Sequence, residues 1–228
     1  MDKKLKKSLI YLLIIFIVNV LFMFLVMFVD KAKTGIGSQV VGLSSINIKI
    51  RDAIGTSKFF DVLSNIILGI TLIIIVFEVV YTLIELIKRK KLSKIDKELY
   101  ALIAVYALVG VAYVFFDYIL VINTRPVLND WNYEASFPSS HTLLVLVTAS
   151  TGITITNLLT DNKKYRYISY AILGVLAIFI IISRMLSGEH WFTDIIGGIL
   201  LAGFFYQLYQ VFLAGLSNPK YQDVSDIE

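Results

Sequence analysis

Six stretches of this chain, most of them near twenty residues long and built mainly of aliphatic and aromatic side chains, leave little choice of fold. They run approximately Ser8–Val29, Phe59–Ile87, Leu99–Ile122, Thr142–Leu159, Tyr167–Ile182 and Phe192–Leu216. About 20 apolar residues at roughly 1.5 Å per residue cross the ~30 Å of hydrocarbon in a bilayer. Lipid offers no hydrogen bonds, so a spanning backbone must satisfy itself, and each run predicts a helix. The expected fold class is all-α: a six-transmembrane-helix bundle forming a single domain over residues 1–228. A hydrophobic fraction of 57% and a mean hydropathy of +0.79 lie beyond the range of a soluble domain. The first run is long and lacks a small-x-small cleavage pattern, so a retained anchor is expected rather than a signal peptide.

Charge orients the bundle. With six spans both termini share a side, and 14 of the 21 Lys and Arg residues fall there: Lys3, Lys4, Lys6 and Lys7, the Lys88–Lys97 and Asp161–Arg166 loops, and Lys220. That excess predicts cytoplasmic termini in a multi-pass plasma-membrane protein. The loops Asn123–His141 and Ser183–Trp191 then lie on the outer, extracytoplasmic side. The outer loop Asp30–Lys58 carries glycines at 35, 37, 42 and 55, and its Val40–Ile54 portion mixes apolar residues with Lys49, Arg51 and Asp52. An interfacial segment is expected there, between the first two spans. Cysteine is absent from the sequence, which excludes disulfides and thiol chemistry. No basic stripe indicates nucleic acid.

The two histidines of the sequence sit in those outer loops. His141 ends Pro138-Ser139-Ser140-His141, and His190 lies six residues after Arg184 and four before Asp194. Arg125-Pro126 precedes the first histidine. If the last span begins near Trp191, Asp194 sits one turn along from His190. Its carboxylate can then accept one imidazole N–H and leave the other nitrogen free to attack. Arg125 and Arg184 offer planar forks matched to phosphate oxygens, although an arginine at a helix end also snorkels toward headgroups. Ser139 and Ser140 open the fourth span, where a helix start suits either capping or an anion. His141, outward-facing, can protonate a leaving alkoxide.

Other polar residues fall within the spans. Asp61 and Asp117 lie near outer span ends, where structural roles are expected, and Asn65 lies beside the first. Glu78 lies deeper and carries no assigned role. Thr148, Thr151, Thr154 and Thr156 suit helix packing.

Arg-Pro, then Pro-Ser-x-His, then Ser-Arg-x5-His-x3-Asp, in that order on a six-span chain, resembles the type-2 phosphatidic acid phosphatase family. The motifs cover Arg125 to Asp194. The resemblance implies a metal-independent lipid phosphatase without a cofactor. His190 would be a nucleophile passing through phosphohistidine, Asp194 its orienting partner and His141 the acid. Arg125, Ser139, Ser140 and Arg184 would bind the phosphate. Its implied substrates are a lipid phosphomonoester or pyrophosphate: phosphatidic acid, phosphatidylglycerol phosphate or undecaprenyl pyrophosphate. Two departures stand out. The family lysine seven residues before the Arg of Arg-Pro is Tyr118 here, and Pro-Ser-Gly-His reads Pro-Ser-Ser-His. Lys49, Arg51 or Lys58 would be the local source of a replacement charge. A non-catalytic lipid-phosphate binder is the alternative that the missing lysine raises. A transporter would explain neither histidine, and a haloperoxidase, sharing the motif by resemblance, would be soluble.

Overall fold

The computed structural model of the protein describes residues 2–33, 40–91, 94–126 and 134–216. Gly35, Gly37 and Lys220, which the sequence reading uses, lie outside the described residues. The helices are α1 (Lys3–Phe28), α2 (Ser44–Ile54), α3 (Lys58–Arg89), α4 (Lys97–Val114), α5 (Ser140–Leu159), α6 (Lys163–Ser187) and α7 (Phe192–Leu216). All but α2 are long and apolar enough to cross a membrane, with α4 continuing through a π turn at Phe115–Ile119. The predicted six-helix architecture is therefore the observed one.

Helix ends differ from the predicted spans where charged residues extend a helix beyond its apolar run. α6 begins four residues before Tyr167, because Asn162 accepts the Lys164 N–H at 3.0 Å and caps it. It runs on through Arg184 to Ser187 and stops at Gly188, whose φ of +76° is left-handed.

α5 is the central helix: half of its apolar span is buried, against 11% for α1. Leu143 and Val147 of α5 pack with Leu99, Leu102 and Val105 of α4 and Phe205 and Tyr209 of α7. On the other side, Val145 meets Ile67 of α3 and Leu176 and Ile180 of α6. Large apolar side chains such as Ile73 and Ile178 point outward, as they must in a lipid solvent.

The segment between the first two spans is built rather than loose. Ala32–Lys33 pairs antiparallel with Val40–Val41, and α2 follows. Asp30 receives the Ser45 N–H at 2.8 Å and the hydroxyls of Ser44 and Ser45. These donors, the Ser45 N–H foremost, hold its carboxyl below the usual range. Gly42 presses on the end of α1; a Cβ there would sit 1.5 Å from the Val26 carbonyl oxygen.

Candidate active site

The turn from α6 into α7 carries Glu189, His190 and Trp191. Asp194, in the first turn of α7, accepts the Trp191 N–H at 2.9 Å on Oδ2. Its Oδ1 accepts Nδ2 of Asn123 at 3.0 Å. Trp191 is buried and donates its indole N–H to the Thr124 carbonyl at 2.8 Å. Asn123 and Thr124 thus lock the turn from a second stretch of chain.

His190 is held differently from the sequence expectation. Its Nδ1 lies 2.9 Å from the Ser136 carbonyl oxygen, whereas the nearest Asp194 oxygen is 3.7 Å away. A carbonyl only accepts, so Nδ1 carries the proton and Nε2 keeps its lone pair. Asp194 adds its charge behind the ring and spends its hydrogen bonds on Trp191 and Asn123. Among the described residues, buried Nε2 has no hydrogen-bond partner. Burial, followed by the Arg184 and Arg125 guanidiniums, pushes the imidazole well below its ordinary pKa, outweighing the Ser136 bond. The ring is therefore held neutral, with its lone pair on Nε2.

Arg184 is 2% exposed. Its Nη1 donates to Ser64 Oγ at 3.1 Å and lies 3.6 Å from Asp61 Oδ1. Nε and Nη2 have no partner among the described residues. Buried guanidinium donors left unmade are costly, and they are the expected signature of an anion site. Arg125 is engaged: Nη1 contacts Glu189 at 2.8 Å and Nε lies 3.1 Å from Glu134. The fields of both arginines reach both imidazoles.

The second motif lies against α7. Pro138 follows a cis peptide bond. Ser139 is fully buried; its N–H donates to the Asp194 carbonyl at 2.9 Å and its Oγ accepts from Thr142 at 3.0 Å. This close approach needs Gly197 and Gly198: a Cβ on the first would enter the Phe137 ring, and on the second would sit 2.9 Å from the Ser139 carbonyl. Ser139 thus packs inward, while Ser140 is half-buried. Ser140 lines a cleft of about 40 Å³ shared with Arg125, Ser136 and His190. It also lines an apolar groove of about 430 Å³ with His141, Leu68, Leu72, Tyr106 and Gly110. The groove runs between α3, α4 and α5 at the depth of the spans. His141 Nε2 lies 3.1 Å from Asn65 Oδ1.

Tyr118, at the family lysine position, is 72% exposed on the π turn and does not line the cleft. The replacement charges weighed from sequence do not converge on the imidazoles. Lys49 and Lys58 are exposed. The Arg51 guanidinium lies over the Trp191 ring at 5.5 Å, and its small cleft with His190 holds only about 10 Å³. Among the described residues no group of three or more His, Asp or Glu converges as a metal site would.

Asn123, Ser136, Ser64, Asn65, Asp61 and Glu189 are the site residues that sequence reasoning passed over or left as structural. Asn47 of α2 belongs with them. Fully buried, it accepts the Thr193 N–H and donates to the Thr193 hydroxyl and the Gly42 carbonyl. A buried Asn in an apolar environment demands such partners, but no spacing rule in sequence names them.

The sequence profile of the PAP2 superfamily matches residues 99–214, the stretch holding every motif above. The chain belongs to the PAP2 superfamily. The phosphatase class expected from its motifs follows from that membership. No curated protein matches the chain. Among solved structures, the chain is similar to the first transmembrane PAP2-type phosphatidylglycerolphosphate phosphatase from Bacillus subtilis. The TM-score is 0.63 at 16% identity, over 91% of this chain and 98% of the other. At that identity the likeness is one of fold, that of a multi-pass membrane bundle.

Proposed function

We propose that this PAP2 protein hydrolyses the phosphomonoester or pyrophosphate of a membrane lipid at the extracytoplasmic face, through a phosphohistidine. The lone pair on His190 Nε2 attacks phosphorus, the bond to the leaving oxygen breaks, and His141 gives that oxygen a proton. Water then attacks the phosphohistidine, with His141 taking its proton, and phosphate leaves. Arg184, Arg125 and the first turn of α5 at Ser140 hold the phosphate oxygens. Substrate would draw Arg125 away from Glu134 and Glu189. The observation that carries this reading is the pairing of an unpartnered Nε2 with the unpartnered Nε and Nη2 of Arg184, all buried.

The lipid assignment rests on the apolar groove opening at His141 and Ser140. It lets an acyl or prenyl chain stay at membrane depth while its phosphate reaches the imidazoles. The outward face rests on the excess of Lys and Arg at the opposite end of the bundle. Phosphatidylglycerol phosphate, phosphatidic acid and undecaprenyl pyrophosphate are the substrates to compare. Phosphate release from each in detergent with EDTA tests the reading. Wild type should turn over at least one and His190→Ala none. Full activity in that variant would overturn it.

A further inference from the structure

The geometry points to Asn65 as a positioning residue on the leaving-group side of the site. Its amide carbonyl holds a proton on His141 Nε2 and so leaves Nδ1 as the ring nitrogen that exchanges a proton with substrate. This rests on the proposed role of His141 as the acid.

The polarity of the amide follows from what flanks it. On one side, Asn65 Nδ2 lies 3.5 Å from Asp61 Oδ1. On the other, Oδ1 lies 3.1 Å from His141 Nε2. A carboxylate accepts and an amide NH2 donates, so the NH2 belongs toward Asp61 and the carbonyl toward His141. An amide carbonyl donates nothing, so Nε2 must bear the proton. Asp61 is itself anchored 3.6 Å from Arg184. A chain of contacts therefore runs from Arg184 through Asp61 and Asn65 to His141. It links an arginine of the phosphate site to the histidine at the groove.

Position completes the argument. Asn65, Leu68, Leu72 and Ile75 recur at helical spacing along one stripe of α3. The last three line the groove, with Ser140 and His141 also lining it. A lipid alcohol whose chain occupies the groove brings its ester oxygen to His141, which lines it. Once the phosphate charge is bound and both ring nitrogens are protonated, Nδ1–H passes its proton to that oxygen as the P–O bond breaks, and the imidazole retains the Nε2 proton that Asn65 holds. The phosphoryl group remains on His190. Asn65 is exposed, so its replacement removes little packing.

The test uses the purified full chain in detergent and aryl phosphates of graded leaving-group acidity, reading the first-turnover burst of phenol. A good leaving group needs no proton; a poor one does. Asn65→Ala should slow the burst by about 10- to 100-fold for poor leaving groups and far less for nitrophenyl phosphates. The dependence on leaving-group pKa should steepen in the same direction as in His141→Ala. Asn65→Asp keeps an acceptor facing Nε2 and should restore the shallow dependence. An equal loss across the series, or no loss, overturns the inference while leaving the function intact, provided His141→Ala steepens the series. If His141→Ala does not steepen it, or wild type cleaves no phosphate ester, the proposed function falls instead.

Discussion

Asp194 and His190 are one helical turn apart, yet their closest side-chain approach is 3.7 Å. The hydrogen bond that orients the imidazole comes from the Ser136 carbonyl at 2.9 Å. Asp194 shapes the turn through Trp191 and Asn123, and acts on the ring by charge. The imidazole is thus oriented by a peptide carbonyl that no side-chain substitution removes.

Substitutions around Asp194 should separate those two duties. Asp194→Ala leaves the Trp191 N–H and the Asn123 amide without partners, and should lower both kcat and thermal stability. Asn123→Ala removes one hydrogen bond to a carboxylate, about 1.5–3 kcal/mol, and should lower kcat about tenfold or more. Steady-state phosphate release beside thermal unfolding in detergent checks both. Wild-type kcat in Asp194→Ala would refute the coupling.

Two glycines should respond in opposite ways to alanine. Gly198 has the Ser139 carbonyl 2.9 Å and the Thr142 side chain 3.0 Å from where its Cβ would stand, while nothing lies within 4 Å at Gly174. Gly198→Ala should destabilise by about 1–3 kcal/mol through overpacking and disturb Ser139 beneath the site. Gly174→Ala, in a helix interior, should be neutral or stabilising by up to about 1 kcal/mol. Melting curves in one detergent decide the order.

Glu78, unassigned from sequence, accepts the Tyr106 hydroxyl at 2.6 Å in the bundle interior. Removing Tyr106 strips the buried Glu78 carboxyl of this bond, at about 1–3 kcal/mol, whereas removing Glu78 leaves the Tyr106 hydroxyl only its longer 3.4 Å contact with Thr148. Glu78→Ala and Tyr106→Phe should each lower the melting temperature. The double variant should lose less than the two losses added together, because the partners share one bond. Strict additivity would show that the contact carries no energy.

The pH profile should reflect the depressed His190. A nucleophile must be unprotonated, so activity would normally fall as pH drops through the ordinary imidazole value near 6.5. Burial and two guanidiniums lower this pKa, so the acidic limb of kcat/KM should lie well below that value. Arg184→Gln removes one positive charge and should move the limb upward, alongside its loss of phosphate binding. An acidic limb near 6.5 in wild type would contradict the neutral, buried ring.

Groove occupancy is testable apart from the chemistry. Gly110 lines the apolar groove and has open space beside it, so Gly110→Leu should fill part of it. Turnover of lipid phosphates should fall more than that of soluble aryl phosphates. Equal losses for both substrate types would argue against a chain lying in the groove.

Spans, order and motif spacing were legible because they depend on local rules. Twenty apolar residues make a helix in lipid whatever surrounds them, and an arginine six before a histidine four before an aspartate is written along one stretch of chain. The family and the six-helix bundle follow from that much. The partners were not legible, because a hydrogen bond across the bundle leaves no periodic trace. Asn47 in the outer segment and Asn123, Asn65 and Asp61 near span ends read as ordinary polar residues until the helices bring them to Thr193, Asp194, His141 and Arg184. Packing likewise decided that Ser139 is buried while Ser140 lines the cleft and the groove, and that Tyr118 lies outside the cleft. In a bundle whose exterior is lipid, unpaired polar groups have nowhere else to go, so the tertiary arrangement of a few amides determines how the two histidines are held.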